Sequence, residues 1–518
     1  MAFAATAHAD ELSDIQAQAK QLREQMTRRI ADLEKRQKAL EAQKAAVPTI
    51  SPVDAMAADL PYKAAVKARP PENDDICIKG ICVYGNFDMG ATYIQHSAPF
   101  AGTAGGPLDT LVSRNGGMGP YFGVGANQLS TSFIGLRGKQ EIGDDLYAVF
   151  NLQTLFNPAS GMNASGTGSI FQNNGLPFNN QQNSFGDSSK GGQMFNNAAY
   201  FGISSTTYGT FTMGRQSALT SDLIVNYDPL SGSNSWSVIT FQGANGGGGD
   251  TENRIFDNAF EYRVNIGPVR LAAEVQAGNG GNSGTGNAFE GNIGFDYLGF
   301  SMDFVGGKIL DAISAAPLGG VGVGVVPTVA IGNGQLAATV SDNTVFSVGA
   351  RYAIGPWKFW AGYEHIDYSN PNNPLNPGAF LQGGLIAGQV NNAAFPSDKI
   401  LQTVWAGVRY SITPALDITG AYYHEWDNTF ATAPGILAGC AALGSSSTQC
   451  AGTLDAVSVV VDWRFAKHVD VYAGVMYSQV TGGLASNFIV NNIGTTVQAV
   501  GANRSSNFDP GVGLRYQF

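Results

Sequence analysis

The sequence predicts an all-β fold, a sixteen-stranded antiparallel transmembrane β-barrel with short turns on one side and long loops on the other, preceded by an N-terminal α-helical (coiled-coil) segment. Three observations carry this. Apolar side chains recur at every second position through much of the chain, the period of a strand with one oily and one polar face. Tight turns and long connections follow one another in regular alternation. Finally, only 13% of the 518 residues are charged and 67 are glycine, against about 25% charged and about 7% Gly in ordinary soluble domains.

The last strand shows the pattern most clearly. From Pro510 onward, Val512, Leu514, Tyr516 and Phe518 share one phase, while Gly511, Gly513, Arg515 and Gln517 take the other. Val457, Val459, Val461, Trp463 and Phe465 repeat it, as do Val469 to Tyr477 and Phe346 to Ile354. No helices remain to cover so many apolar faces, so lipid is the cover that fits. The chain lacks an unbroken apolar run of about 18 residues, which argues against transmembrane helices. Its most apolar window, Ala315 to Ile331, contains Pro317, Pro327 and several glycines and reads as a loop.

Taken in order, Met1 to Ala9 resembles the tail of a secretory signal, with Ala7, His8 and Ala9 as an A-x-A site. Residues 10–46 form a helical segment. Leu12, Ile15, Ala19, Leu22, Met26, Leu33 and Leu40 keep one heptad frame, weakened by Arg29 and Arg36 at d positions. A solvated amphipathic helix is the alternative. Residues 47–76, with Pro48, Pro52, Pro61, Pro70 and Pro71, make a semi-stiff spacer. The barrel domain occupies 77–518.

Its strands are expected near 81–95, 128–139, 145–156, 196–204, 209–216, 256–265, 269–278, 287–297, 299–309, 343–354, 357–369, 400–411, 415–427, 453–465, 468–480 and 507–518. Tight turns such as Gly355 with Pro356 or Ala466 with Lys467 join them in pairs, and Gly-, Asn- and Ser-rich connections separate the pairs. An even-stranded outer-membrane barrel has this layout, with short periplasmic turns and long outer loops.

The four cysteines form two close pairs, Cys77 with Cys82 and Cys440 with Cys450. The five histidines are scattered, so local disulfides in an oxidising compartment fit better than a metal site. For Cys77 and Cys82, free thiols remain open, because residues so spaced in one extended strand lie too far apart to bridge. A net charge of −11 gives no support to nucleic-acid binding. No His-Glu-x-x-His motif or Walker-type loop is present, and no cofactor is implied.

Val83 to Gly90 (VYGNFDMG) resembles the opening strand of Gram-negative general porins, where a YGxxDxG pattern is usual. Ser132 to Gly143 (SFIGLRGKQEIG) resembles the next strand and turn, Ala199 to Gln216 the strand pair before the pore-constricting loop, and the terminal LRYQF completes the likeness. The resemblance implies a trimeric, water-filled barrel in the outer membrane that passes small hydrophilic solutes by diffusion, with the third long loop folded inward. A homotrimer would also suit the heptad segment.

Carried over, residues 217–254 become the inward loop, Asp222 and Asp228 candidate acidic groups at the constriction, and Arg215 and Arg254 candidate basic groups facing them. The chain departs from the family at Phe133, where many relatives have Arg. The acidic Pro-Glu-Phe-Gly-type motif of the loop is also absent. In its place stand Tyr227, Asp228, Pro229 and Trp236, with Phe241 and a glycine run beyond them. A substrate-selective channel is therefore an alternative, and so is an envelope tether reaching the cell wall through the N-terminal helix.

With the apolar phase toward lipid, the opposite phase places Arg137, Arg263, Arg270, Arg351, Arg409, Arg464 and Arg515 in the lumen, with Glu261, Glu274, Glu364 and Asp462. An Arg or Lys on the lipid face at the midplane would cost about 2–4 kcal/mol. Arg215 shares its phase with the apolar Phe211 and Met213, so a bulge is needed to turn it inward.

Overall fold

The computed structural model describes residues 76–78, 80–95, 120–164, 194–239, 255–277, 287–316, 336–369, 380–382, 385–392, 398–427, 452–482, 490–491, 498–499 and 504–518, with a few positions between 20 and 35. Two units divide the chain, Met1–Met56 and Ala57–Phe518. In the first, the described residues, among them Lys20, Glu24, Arg28 and Lys35, are helical and exposed.

The second unit is a barrel. Its elements are β1 (Ile76–Ile78), β2 (Ile81–Ile94), β3 (Tyr121–Ala126), β4 (Ser132–Gly143), β5 (Leu146–Phe156), β6 (Ala198–Ser205), β7 (Gly209–Ser217), α1 (Leu219–Tyr227), β8 (Ile255–Ile266), β9 (Val269–Gln276), β10 (Ala288–Tyr297), β11 (Phe300–Ala316) and β12 (Leu336–Ile354). They continue with β13 (Trp357–Ser369), β14 (Phe380–Gln382), β15 (Leu385–Asn392), β16 (Lys399–Thr413), β17 (Leu416–Asp427), β18 (Gly452–Ala466), β19 (Val469–Gly482), β20 (Val490–Asn491), β21 (Gln498–Ala499) and β22 (Arg504–Gln517).

Sixteen long strands, each antiparallel to its neighbours, close a ring. It runs from β2 through β4 to β13, on through β16 to β19, and through β22 back to β2. At the seam Asn86 lies opposite Gln517 and Asp88 opposite Arg515. The Gly85 amide donates to the Phe518 carbonyl at 2.8 Å, and the Phe518 amide returns a bond to the Gly85 carbonyl at 3.1 Å. No sheet edge is left along the seam, which is the condition for strands to cross a bilayer.

The two faces separate as the alternation requires. Phe211, Phe304, Val459, Trp463, Val512 and Leu514 are exposed on the outside. Asp88, Gln153, Glu274, Ser347, Tyr423 and Arg515 are buried on the inside. Aromatic rings crowd the outer face at the turn end, with Trp357 stacked on Phe359 and close to Tyr410, and Tyr516 stacked on Phe518. This is a membrane-interface girdle.

Two sequence expectations need correction. The connection over 96–127 contains β3, and residues 128–131 are not strand. β4 borders only the first half of β2, from Ile81 to Asn86, and β3 takes over from Met89 to Ile94. Between them Asn127 adopts φ +58°. The Asp88 carboxylate accepts from the Leu129 amide at 3.2 Å and the Ser130 amide at 2.8 Å, which draws the bend into the lumen. The second correction is that β11 and β12 run beyond 309 and before 343, because their pairing resumes after a register shift between Ile309 and Ala312. The candidate pair Cys77 and Cys82 is bonded, because the two do not share a strand. They lie opposite one another across the β1–β2 hairpin and form a disulfide. Cys440 and Cys450 lie outside the described residues.

One turn holds its neighbour. Asp145, at φ +56° between β4 and β5, accepts from the Ser205 hydroxyl at 2.7 Å and from the Thr206 and Thr207 amides at 2.9 and 3.1 Å. The hydroxyls of Thr206 and Ser205, then the Thr206 amide, hold its carboxyl well below the usual range. A depressed carboxyl adds stability above its unfolded value, about pH 4, and loses it as pH falls toward the folded value. Asp145→Asn is therefore expected to lower the melting temperature by a few degrees at pH 7 and by a smaller amount near pH 2. Thermal scans of the two proteins at both pH values check this.

Candidate functional site

The site begins at the end of β7. Phe211 and Met213 face out, and the register against β8 slips between Gly214 and Gln216, where Gly214 takes φ +127°. Glycine tolerates that backbone and a side chain would strain it. The slip turns Arg215 inward, where its guanidinium pairs with Asp257 and donates to the Asn196 carbonyl at 2.8 and 3.1 Å.

The chain then leaves the wall as α1. The first turn of this helix carries Asp222, and the Thr220 amide and hydroxyl donate to Glu290 of β10 at 2.9 and 2.6 Å. A wall carboxylate thus satisfies one of the helix's orphan donors and complements its dipole. Pro229 ends the helix.

From there the inward loop follows the inner wall. The Tyr227 hydroxyl donates to Asp303 of β11 at 2.6 Å, and the Trp405 indole of β16 donates to the Tyr227 carbonyl at 2.9 Å. The Tyr423 hydroxyl of β17 and the Gly232 amide donate to Asp228 at 2.6 and 2.7 Å. Burial pushes the Asp228 carboxyl above its ordinary range, opposed by these donors. Ser458 of β18 donates to the Trp236 carbonyl at 2.6 Å, and the Trp236 indole donates to the Asp509 carbonyl of β22 at 3.2 Å.

Glycines of the lumen phase provide seats for the loop. A Cβ on Gly349 would meet Tyr227 at 2.5 Å, one on Gly474 would meet the Trp236 ring at 2.6 Å, and one on Gly407 would collide with Pro229. Between Ala218 and Ile239 every residue except Asn226 and Ser231 is buried.

Charged rows and ion pairs line the wall. Glu261 of β8, Glu274 of β9 and Glu290 of β10 lie directly opposite one another, a row of three carboxylates. Arg263 reaches Glu261 at 2.6 Å and Asp222 at 2.5 Å, which fastens the loop helix to this acidic row. On the other arc, Arg464 pairs with Asp417 at 2.9 Å, and Arg515 with Asp470 at 2.5 Å and Asp462 at 3.3 Å. Arg270 bonds Asp303 at 3.0 Å and pairs with Asp296. Arg137 lies 4.9 Å over the Tyr84 ring, and Ser347 donates to Glu364 at 3.0 Å.

The structure therefore brings Asp222 to Arg263 and Arg215 to Asp257, while Asp228 meets Tyr423. Arg254 lies outside the described residues. Sequence reasoning missed Asp257, Glu290, Asp303, Tyr423 and Lys358. Lys358 was within reach, since it alternates with the outward Trp357 and Phe359. The role of Glu290 depends on contact with a segment 70 residues away and left no local signal.

A closed antiparallel cylinder, apolar outside, charged inside and lined by an inward loop, defines a transmembrane channel. The chain belongs to the Gram-negative porin family, whose model matches residues 45–483, and is an outer-membrane channel for the diffusion of solutes. Among solved structures it is similar to an anion-selective porin from Comamonas acidovorans, with 14% identity over 85% of this chain and 99% of that one and a TM-score of 0.52. It also matches a loop L8 deletion mutant of OmpT, an outer membrane protein of Vibrio cholerae, with 13% identity over 85% and 99% of the two chains and a TM-score of 0.49. The outer membrane channel DcaP of Acinetobacter baumannii matches with 13% identity over 85% and 99% and a TM-score of 0.46. At such identities the likeness concerns the fold alone. No curated protein matches the chain.

Proposed function

We propose that the protein is a passive porin for small hydrophilic solutes and ions, acting as a homotrimer, with its N-terminal segment in the periplasm and no catalytic activity of its own. The observation that carries the reading is the split of charge across the lumen. The acidic row on β8 to β10 stands apart from Arg351, Lys358 and Arg409 on β12, β13 and β16, which have no ion pair among the described residues, so a transverse field acts on whatever passes along the inward loop. The acidic side of the constriction is assigned to Asp222 with Glu261, which Arg263 ties together, and its basic side to Arg351 and Arg409 of the other arc. Family membership supports the homotrimer.

Planar-bilayer recording of purified protein tests the function. Stepwise, ohmic openings in potassium chloride are expected. Absence of steps, or conduction only with one saturating solute, would overturn passive diffusion. Gel mobility of the unheated protein reports the trimer. A substrate-selective channel is the second reading, favoured by the buried, glycine-seated course of residues 218–239. Block of the ion current by one class of solute would establish it. Deletion of residues 10–75 tests whether the N-terminal helix holds the barrel to the cell wall. Unchanged cell-wall pull-down would remove that role.

A further inference from the structure

We propose that Arg351, Lys358 and Arg409 form a binding site for a compact multivalent oxyanion, with the phosphate dianion as the type ligand, on the turn side of the inward loop. The site rests on the channel reading only in that the lumen gives the ligand access.

The three cations occupy the inward phase of three adjacent strands, close to the turn end of the barrel. Lys358 is the second residue of β13 and lies directly opposite Arg409 of β16. On its other side Lys358 faces Ala353, two residues from Arg351 of β12. Like charges placed directly opposite in a sheet repel. Elsewhere on this wall the chain relieves such repulsion with carboxylates, as Arg270 has Asp303, Arg464 has Asp417 and Arg515 has Asp470. Among the described residues, no carboxylate is within ion-pair distance of Arg351, Lys358 or Arg409.

Aromatic rings hold the two guanidinium groups instead. Arg409 lies 5.3 Å over Trp360, and Arg351 lies 5.7 Å over Tyr227 of the loop. The Arg409 Nε donates to the Thr419 hydroxyl at 3.0 Å, and its Nη2 reaches the Pro229 carbonyl at 3.5 Å. A ring fixes a guanidinium from its face and leaves its edge donors available, whereas a carboxylate would consume them. All three side chains are partly exposed to the lumen. Two positioned guanidinium groups and one mobile ammonium match the several oxygens of a phosphate. Chloride would answer one positive charge and leave the others facing each other.

The test is calorimetric titration of the detergent-purified protein with sodium phosphate at constant ionic strength, with sodium chloride as control, together with bilayer currents during phosphate addition to either side. Saturable phosphate binding is expected, weakened about tenfold in Lys358→Gln. Arg351→Gln is expected to weaken it similarly, and phosphate is expected to block current at lower concentration from the turn side. Lack of saturable heat, or equal affinity in the wild type and both variants, would overturn the site. Openings without phosphate binding would leave the porin reading standing and remove this site. Phosphate binding without openings would do the reverse.

Discussion

Trp236→Ala is expected to unseat the inward loop while leaving the barrel closed. The indole is fully buried. It packs edge-to-face on Tyr472 at 5.7 Å, sits over Gly474, and spends its one donor on the Asp509 carbonyl. Truncating a buried Trp costs about 3–5 kcal/mol. Here the loss falls on the loop anchor, because the strands keep their own ladders. Single-channel recordings should show larger and noisier openings, and the solute exclusion limit should rise. Gly474→Val attacks the same seat from the wall side, since its side chain would displace the ring. The two changes remove one interaction, so combining them should add little. Wild-type traces from both variants would mean that the loop is held elsewhere.

Arg263→Gln should produce the largest electrostatic effect. Its guanidinium is the cation that reaches both Glu261 and Asp222, and those carboxylates are 7% and 6% exposed. Leaving buried charges without their partner costs about 3–5 kcal/mol, with the low end expected because Arg263 is itself 20% exposed. The helix would lose one of its ties to the wall, and the lumen would lose the cation that answers Glu261 and Asp222. Reversal potentials in a potassium chloride gradient should move toward cation preference, and Arg263→Lys should fall between. An unmoved reversal potential would place these carboxylates outside the conduction path.

Much of the barrel was legible because lipid imposes a two-residue period that no side-chain contact needs to confirm. Val457 and Trp463 face outward where alternation puts them, at 51% and 52% exposure. The bend at 127–131 was not legible. Gln128 to Ser132 reads as a continuation of β4, and the group that bends it, Asp88, is 41 residues earlier than Leu129. Arg215 was visible as an anomaly of phase, and Gly214 beside it was the cue to the bulge. The pairing of loop acids with wall arginines was hidden, since it depends on where α1 docks. Trp236 and Pro229 gave no sign of which wall glycines would receive them. Those glycines looked like ordinary strand glycines until the loop was laid against them.

The meeting of β2 with β22 bears on how the protein is made. The first and last staves of the cylinder, β2 and β22, lie far apart in the chain, so the hoop cannot shut until translation has delivered β22. Such distant partners find each other late and slowly. Throughout that interval both bare rims invite strangers to pair with them. Biogenesis must therefore keep the nascent chain unpaired through synthesis and transit, and a premature stop codon that removes one stave forfeits the whole vessel.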